Sequence, residues 1–261
     1  MSKKLSWILV IMIFIGISLT QSALSAVVGI WLMNENKGNV IKEATGAHKQ
    51  DGTFIGGVKW EPNGKFGSAV LFDGATGHIE IPDPNNRLTP KNITLMSWIK
   101  MEDISGLRSI LEQYDWAGSF GTHAFRTSGG QLQLWVIWGP AGDNVLGGNI
   151  KANEWTHVAG TYDGENIRVY INGKMEAEKK GAKKDLAASS KSLSIGVRSD
   201  TKDVQWLKGL VDEVAIFDTA LSEKELTAIV NSKGGLSNLY LAVSPKSKLA
   251  VTWSKVKQMG L

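Results

Sequence analysis

WTHVAGTYDGENIRVYINGKMEA, residues 155–177, is the stretch that decides the fold class. From Asn166 to Ile171, apolar Ile167, Val169 and Ile171 alternate with Asn166, Arg168 and Tyr170. That is the period of a strand with one face on a core. Asp163-Gly164 and Asn172-Gly173 interrupt the pattern where a chain reverses, and both pairs accept positive φ at low cost, so they predict type I′ hairpins. Residues 155–162, 166–171 and 174–177 therefore read as a three-stranded antiparallel meander.

Working outward, Leu193, Ile195 and Val197 alternate with Ser194, Gly196 and Arg198. Residues 132–138 are apolar on both faces after Gln133 and read as a central, doubly covered strand. Further strands are expected at 28–33, 68–72, 77–81, 92–101, 108–113, 122–127 and 210–217. With 29 glycines in 261 residues, strands this frequent predict an all-β chain, a two-sheet antiparallel β-sandwich or a jelly roll. One short helix interrupts it. Ser222-Glu-Lys-Glu225 is a capping box, Leu226, Ile229 and Val230 form an apolar stripe, and Gly234-Gly235 ends the element.

Residues 1–26 form a leader: Lys3 and Lys4, an uncharged 15-residue run from Leu5 to Leu19, then small residues up to Ala26. This is the order of a secretory signal peptide cleaved after Ala26, and the run falls short of the roughly 20 residues a membrane helix needs. The expected product is secreted or held at the cell surface, with no membrane span. Its expected organisation is a β-sandwich over 27–232 and a basic extension over 233–261 that turns at Ser244-Pro-Lys246. The mature chain would carry +2; five lysines in the extension leave the body at −3, without an arginine-rich stripe, so nucleic acid is excluded as a partner. The absence of cysteine excludes disulfides, thiolate metal sites and a Cys nucleophile.

Four stretches carry a family resemblance: Gly29-Ile-Trp-Leu-Met33, Gly64-Lys-Phe-Gly-Ser-Ala-Val-Leu-Phe-Asp-Gly74, residues 155–173, and Gly209-Leu-Val-Asp-Glu-Val-Ala-Ile-Phe-Asp218 running into Thr219–Leu226. Together they resemble laminin-G-like jelly-roll domains of the concanavalin A-like lectin/glucanase superfold. The resemblance spans about 27–232 and implies the fold. It leaves function open, because such folds host lectins, hydrolases, lyases and adhesion modules.

Glycoside hydrolysis needs two carboxylates at a fixed separation, which a strand supplies by alternating acids on one face. No strand here does so: Asp212 and Glu213 are adjacent and should point to opposite faces, and Glu112 and Asp115 have the wrong parity. His48, His78, His123 and His157 are scattered, and His157 reads as a satisfied structural histidine. The expectation is a non-catalytic binding module for a glycan or an extracellular protein. A polysaccharide hydrolase or lyase of the same superfold and a purely structural surface domain stand as alternatives.

Sugars lay their C–H faces on aromatic rings while polar groups bond their hydroxyls. Trp31, Trp98, Trp138 and Trp155 fall in regular strands and read as core. Trp116 sits in a polar, glycine-bearing break, where its ring either folds inward or is displayed, and Trp135 shares the face of Gln131 and Gln133. The binding candidates are Tyr114, Asp115, Trp116, Arg126, Gln133 and Trp135. The resemblance further implies one structural Ca2+, with Asp212 as the side-chain ligand and Gly74, Asn34 and Glu35 completing the set, set against a plain strand-end cap.

Overall fold

The computed structural model describes residues 27–46, 49–115, 120–181 and 183–238. The expected leader over 1–26, Trp116 and the expected hairpin around Ser244–Lys246 lie outside the described residues. Among the described residues the elements follow in order: β1 Val27–Trp31, β2 Val40–Ile41, β3 Gly52–Ile55, β4 Val58–Glu61, β5 Ala69–Asp73, β6 His78–Ile81, β7 Ile93–Met101, β8 Leu107–Asp115, β9 Phe120–Ser128, β10 Gln131–Trp138, β11 Ala141–Gly147, β12 Thr156–Tyr162, β13 Asn166–Ile171, β14 Lys174–Lys180, β15 Leu193–Ile195, β16 Lys208–Phe217 and α1 Glu223–Val230, with further helical residues at 235–238. The first sheet runs β14-β13-β12-β7-β16-β5-β4, with β1 also pairing β16. The second runs β11-β10-β9-β8-β15-β6-β3-β2. This is the expected two-sheet antiparallel sandwich.

Every second side chain builds the interior. Leu95, Ile99, Val158, Tyr162, Val211 and Val214 of the first sheet share one buried cluster with Leu111, Phe125, Leu132, Leu134, Val136 and Ile195 of the second. Gly160 lets the sheets meet there, since a Cβ at this position would lie 3.1 Å from both Leu134 and Phe125. Trp31 is fully buried, and its indole N–H donates to the Gln50 carbonyl at 2.8 Å. A second cluster covers the outer face of the first sheet, where Leu226 and Ile229 of α1 and then Leu236 pack on Ile30, Met96, Ala159, Tyr170, Ala215 and Phe217. The packed body thus reaches past residue 232. Ser222 caps α1 with both capping-box bonds, but Val230 is only half-buried and the helix ends at Asn231 instead of Gly234.

Several local expectations need correction. The Asn172-Gly173 turn has positive φ at both residues and fits type I′ (51° and 80°). At Asp163-Gly164 only Gly164 does, because the Asp163 carboxylate accepts from the Glu165 and Asn166 amides and shapes a different turn. β10 is penultimate in its sheet instead of central. Its outer face, with Gln131, Gln133 and Trp135, is half-buried, whereas Trp138 shares the inner face with Leu134 and Val136 and packs against the core. Asp212 and Glu213 do not face opposite ways: a β-bulge with Glu213 at φ 46° interrupts the alternation. Asp212 accepts from the Phe66 amide and Glu213 from the Leu236 amide, and burial pushes both carboxyls up to about 7. His157 is buried with neither ring nitrogen hydrogen-bonded. It packs edge-on to Trp98 at 5.4 Å, and burial holds its pKa at about 3.

Candidate ligand-binding face

The outer face of the second sheet gathers the polar side chains that the core does not use. Registry places Glu80, Ser194, Glu112, Ala124, Trp135 and Asn144 in one line across β6, β15, β8, β9, β10 and β11. The adjacent line joins Ser109, Arg126 and Gln133. A bulge at Ile110 puts Ser109 and Glu112, three apart in sequence, on the same side of β8. There the Ser109 hydroxyl donates to Glu112 Oε1 at 2.7 Å.

Two regions of this face differ. Over β8, the segment 197–206 between β15 and β16 forms a strap. Ser199 Oγ accepts from the Tyr114 amide at 2.8 Å, and the Gln205 carbonyl accepts from the Ser109 amide at 2.9 Å. Lys202 pairs with Glu80 at 2.8 Å, and Trp206 packs 5.9 Å from His78. Beneath it Glu112 is fully buried, with Oε2 lacking a hydrogen-bond partner. Burial pushes its carboxyl up to about 7, against the opposing pull of Arg126, Ser109 and Arg198.

Over β10 and β11 the face is more accessible, with Gln133, Trp135 and Asn144 half-buried, while Ala124 and Arg126 of β9 stay buried. A ladder runs sideways: Arg126 Nε donates to Gln133 Oε1 at 2.7 Å, and Gln133 Nε2 donates to Asn144 Oδ1 at 3.0 Å. The half-buried indole of Trp135 adjoins it, with the Arg126 guanidinium carbon over the ring, 5.4 Å from its centroid. Two small residues make room for this ring: Ala124 opposite it on β9 and Gly142 on β11, where a Cβ would sit 2.7 Å from Trp135 Nε1. An aromatic plane edged by amide donors and acceptors can hold the apolar face of a sugar while bonding its hydroxyls.

Of the sequence candidates, the fold brings Arg126, Gln133 and Trp135 together. Tyr114 is buried under Arg198 with Ala124 and Ile137, so its ring is part of the wall. Asp115 pairs with Lys191 at 3.4 Å instead of joining the ladder. Asn144, Ser109, Glu112 and Gln205 were missed by sequence reasoning. The expected calcium set does not assemble. Asn34 Oδ1 and Asp212 Oδ2 grip the same turn, accepting from the Ser68 and Phe66 amides. Glu35 accepts instead from the Lys42 amide. Gly74 lies at the other end of β5, about five residues or roughly 17 Å from the level of Asp212. Asn34 Oδ1, Glu35 Oε1 and Asp212 Oδ2 are already used as acceptors of backbone N–H groups, while Glu35 Oε2 and Asp212 Oδ1 are buried without a hydrogen-bond partner, and no cluster of three His, Asp or Glu suited to a metal occurs among the described residues. No helix among them is long and apolar enough to cross a membrane.

Comparisons agree with this architecture. Domain 4 of AbnA, a GH43 extracellular arabinanase from Geobacillus stearothermophilus solved with arabinotriose, superposes with a TM-score of 0.62 at 21% identity, covering 78% of this chain and 97% of that one. The binding domain of Paraclostridial Mosquitocidal Protein 1 gives 0.66 at 15%, covering 80% and 52%. The binding domain of Botulinum Neurotoxin DC in complex with SialylT gives 0.63 at 15%, also covering 80% and 52%, so this chain spans about half the length of those two toxin domains. No curated protein sequence matches. A family profile matches residues 73–227, more than half of the chain, from the β5–β6 junction into α1, and on that match the chain belongs to the concanavalin A-like lectin/glucanases superfamily.

Proposed function

We propose that this chain is a secreted or cell-surface, non-catalytic module that binds a glycan across β9–β11 of its second sheet. The observation that carries this reading is the half-buried Trp135 indole set beside the Arg126–Gln133–Asn144 ladder. The reading draws further support from two structural neighbours, one solved with arabinotriose and one with SialylT. The leader at residues 1–26 supports export. A hydrolase on this face would need two accessible carboxylates; Glu112 is sealed under the strap and Glu80 is paired with Lys202.

Binding to a glycan array, compared between the wild type and Trp135→Ala, tests the reading. Loss of a central aromatic contact of this kind costs about 30-fold in affinity or more. Unchanged binding in Trp135→Ala would place the site elsewhere, and a blank array would favour the structural alternative. Release of reducing ends that disappears in Glu112→Gln would favour the hydrolase.

A further inference from the structure

We propose that the ligand of this face is an anionic glycan, one bearing a carboxylate or a sulfate, and that Arg126 reads its charge. The inference rests on the glycan-binding reading above and narrows it. Arg126 is only 6% exposed, so its charge is largely removed from water. Its fixed contacts are neutral: Nε donates to the Gln133 amide oxygen at 2.7 Å and Nη1 to the Gln205 amide oxygen at 3.3 Å. Amide oxygens orient a guanidinium without neutralising it. Among the described residues Nη2 has no hydrogen-bond partner. Arg108, Arg168 and Arg198 behave differently, each bonding directly to carboxylates: Asp103, Asp163 with Glu178, and Asp200.

The nearest acid to Arg126 is Glu112, whose Oε1 stands 3.9 Å from Nη1, outside hydrogen-bond range, and is already taken by Ser109. The remaining charges that face Glu112 and Arg126 are spoken for. Arg198 and Asp200 of the strap bond to one another, and Lys202 is paired with Glu80. On the β11 side Asp143 is paired with Lys179 at 2.5 Å. What is left is one oriented guanidinium without a hydrogen-bonded carboxylate, set over one face of a sugar-sized aromatic plane. A buried guanidinium pairs best with a planar or tetrahedral anion through charge-assisted bonds. A pyranose laid on Trp135 would direct its acidic substituent at Nη2.

A second consequence follows from Glu112. Burial keeps it largely protonated at pH 6, where it leaves the charge of Arg126 uncancelled. At pH 8 its ionised form competes with the ligand for that charge. Anion affinity should therefore fall by several-fold to about tenfold between pH 6 and 8.

The test uses glycans matched in backbone and different in charge. Polygalacturonate is compared with its methyl ester, and sulfated galactan with agarose, by titration calorimetry at low salt and at both pH values. The acidic member of at least one pair is expected to bind at least tenfold more tightly, and the pair that responds separates carboxylate from sulfate. Arg126→Gln should erase that preference. Glu112→Gln, which keeps the side-chain shape and serves if Arg126→Gln fails to fold, should hold the pH 6 affinity at pH 8. Equal binding of acidic and neutral members that is still lost in Trp135→Ala would overturn the anionic inference and leave the glycan face standing. A preference that survives Arg126→Gln would also overturn it. Absence of any Trp135-dependent glycan binding would remove both readings.

Discussion

Replacing Glu112 with Gln removes one titrating group from beneath the strap while leaving an acceptor for the Ser109 hydroxyl. In the unfolded chain this carboxyl ionises near 4.5, and in the folded protein burial moves it to about 7. The folded state therefore holds a proton that the unfolded state gives up between these values. The sign is fixed by linkage: wild-type stability loses ground as pH rises from about 4.5 to 7, and the loss levels off above. A rise of that size corresponds to about 3 kcal/mol, and because Glu112 is fully buried it needs no discount for solvent screening. His123 and His157, which burial holds at about 3, also make stability depend on pH, but they do so in both proteins and cancel in the difference.

The assay is urea denaturation followed by tryptophan fluorescence, run on both proteins at intervals from pH 4.5 to 8. The stability of Glu112→Gln relative to wild type should climb by about 3 kcal/mol across that range, with most of the climb between pH 5 and 7. A difference that stays flat would refute the reasoning. A difference that declines with pH would show that Glu112 is ionised in the folded state and held by Arg126, which would also weaken the anionic-ligand inference.

Three further outcomes follow from the packing. His157→Phe exchanges an imidazole with two unpartnered buried nitrogens for an apolar ring against Trp98, so it should stabilise by about 1–3 kcal/mol, with the gain growing as pH falls from 6.5 towards 3; thermal melts at pH 7.5 and 5 would check this. Gly196→Ala should lower stability by about 2 kcal/mol or more in the same denaturation assay, because the residue sits at φ 87° and its Cβ would lie 2.6 Å from the Phe72 ring. Ser222→Ala removes the acceptor for the Glu225 amide and should cost about 1 kcal/mol, read as faster amide exchange in the first turn of α1.

Strand alternation in the sequence carries the sandwich, and it is reliable where strands are regular. β12, β13 and β15 sit where their periodicity places them. The short strands β2, β3 and β4 and the edge strand β11 were not legible, since they are brief or weakly patterned and depend on pairing partners from elsewhere in the chain. Parity arguments failed at the bulges. An extra residue in β8 aligns Ser109 with Glu112, and another in β16 spoils the alternation of Asp212 and Glu213. No periodicity announces such an insertion.

The open half of the candidate face was more readable than the candidate residues imply, and the signal lies in two turns. Gly129-Gly130 joins β9 to β10 with positive φ at both residues, and Gly139-Pro140 joins β10 to β11 with positive φ at Gly139. Two-residue hairpins of these types fix register. Counting back from them sets Gln133 opposite Arg126, and Trp135 opposite both Ala124 and Asn144. The aromatic plane and its ladder are thus implied by local chemistry alone. The strap is different in kind. It has no periodic pattern, and the contacts that hold it to β8, Gln205 with Ser109 and Ser199 with Tyr114, span more than 80 residues. The charge state of Glu112, and with it the balance of charge around Arg126, follows from those long-range contacts, so the ligand-holding surface is a local property of the hairpins while its electrostatic tuning is a tertiary one.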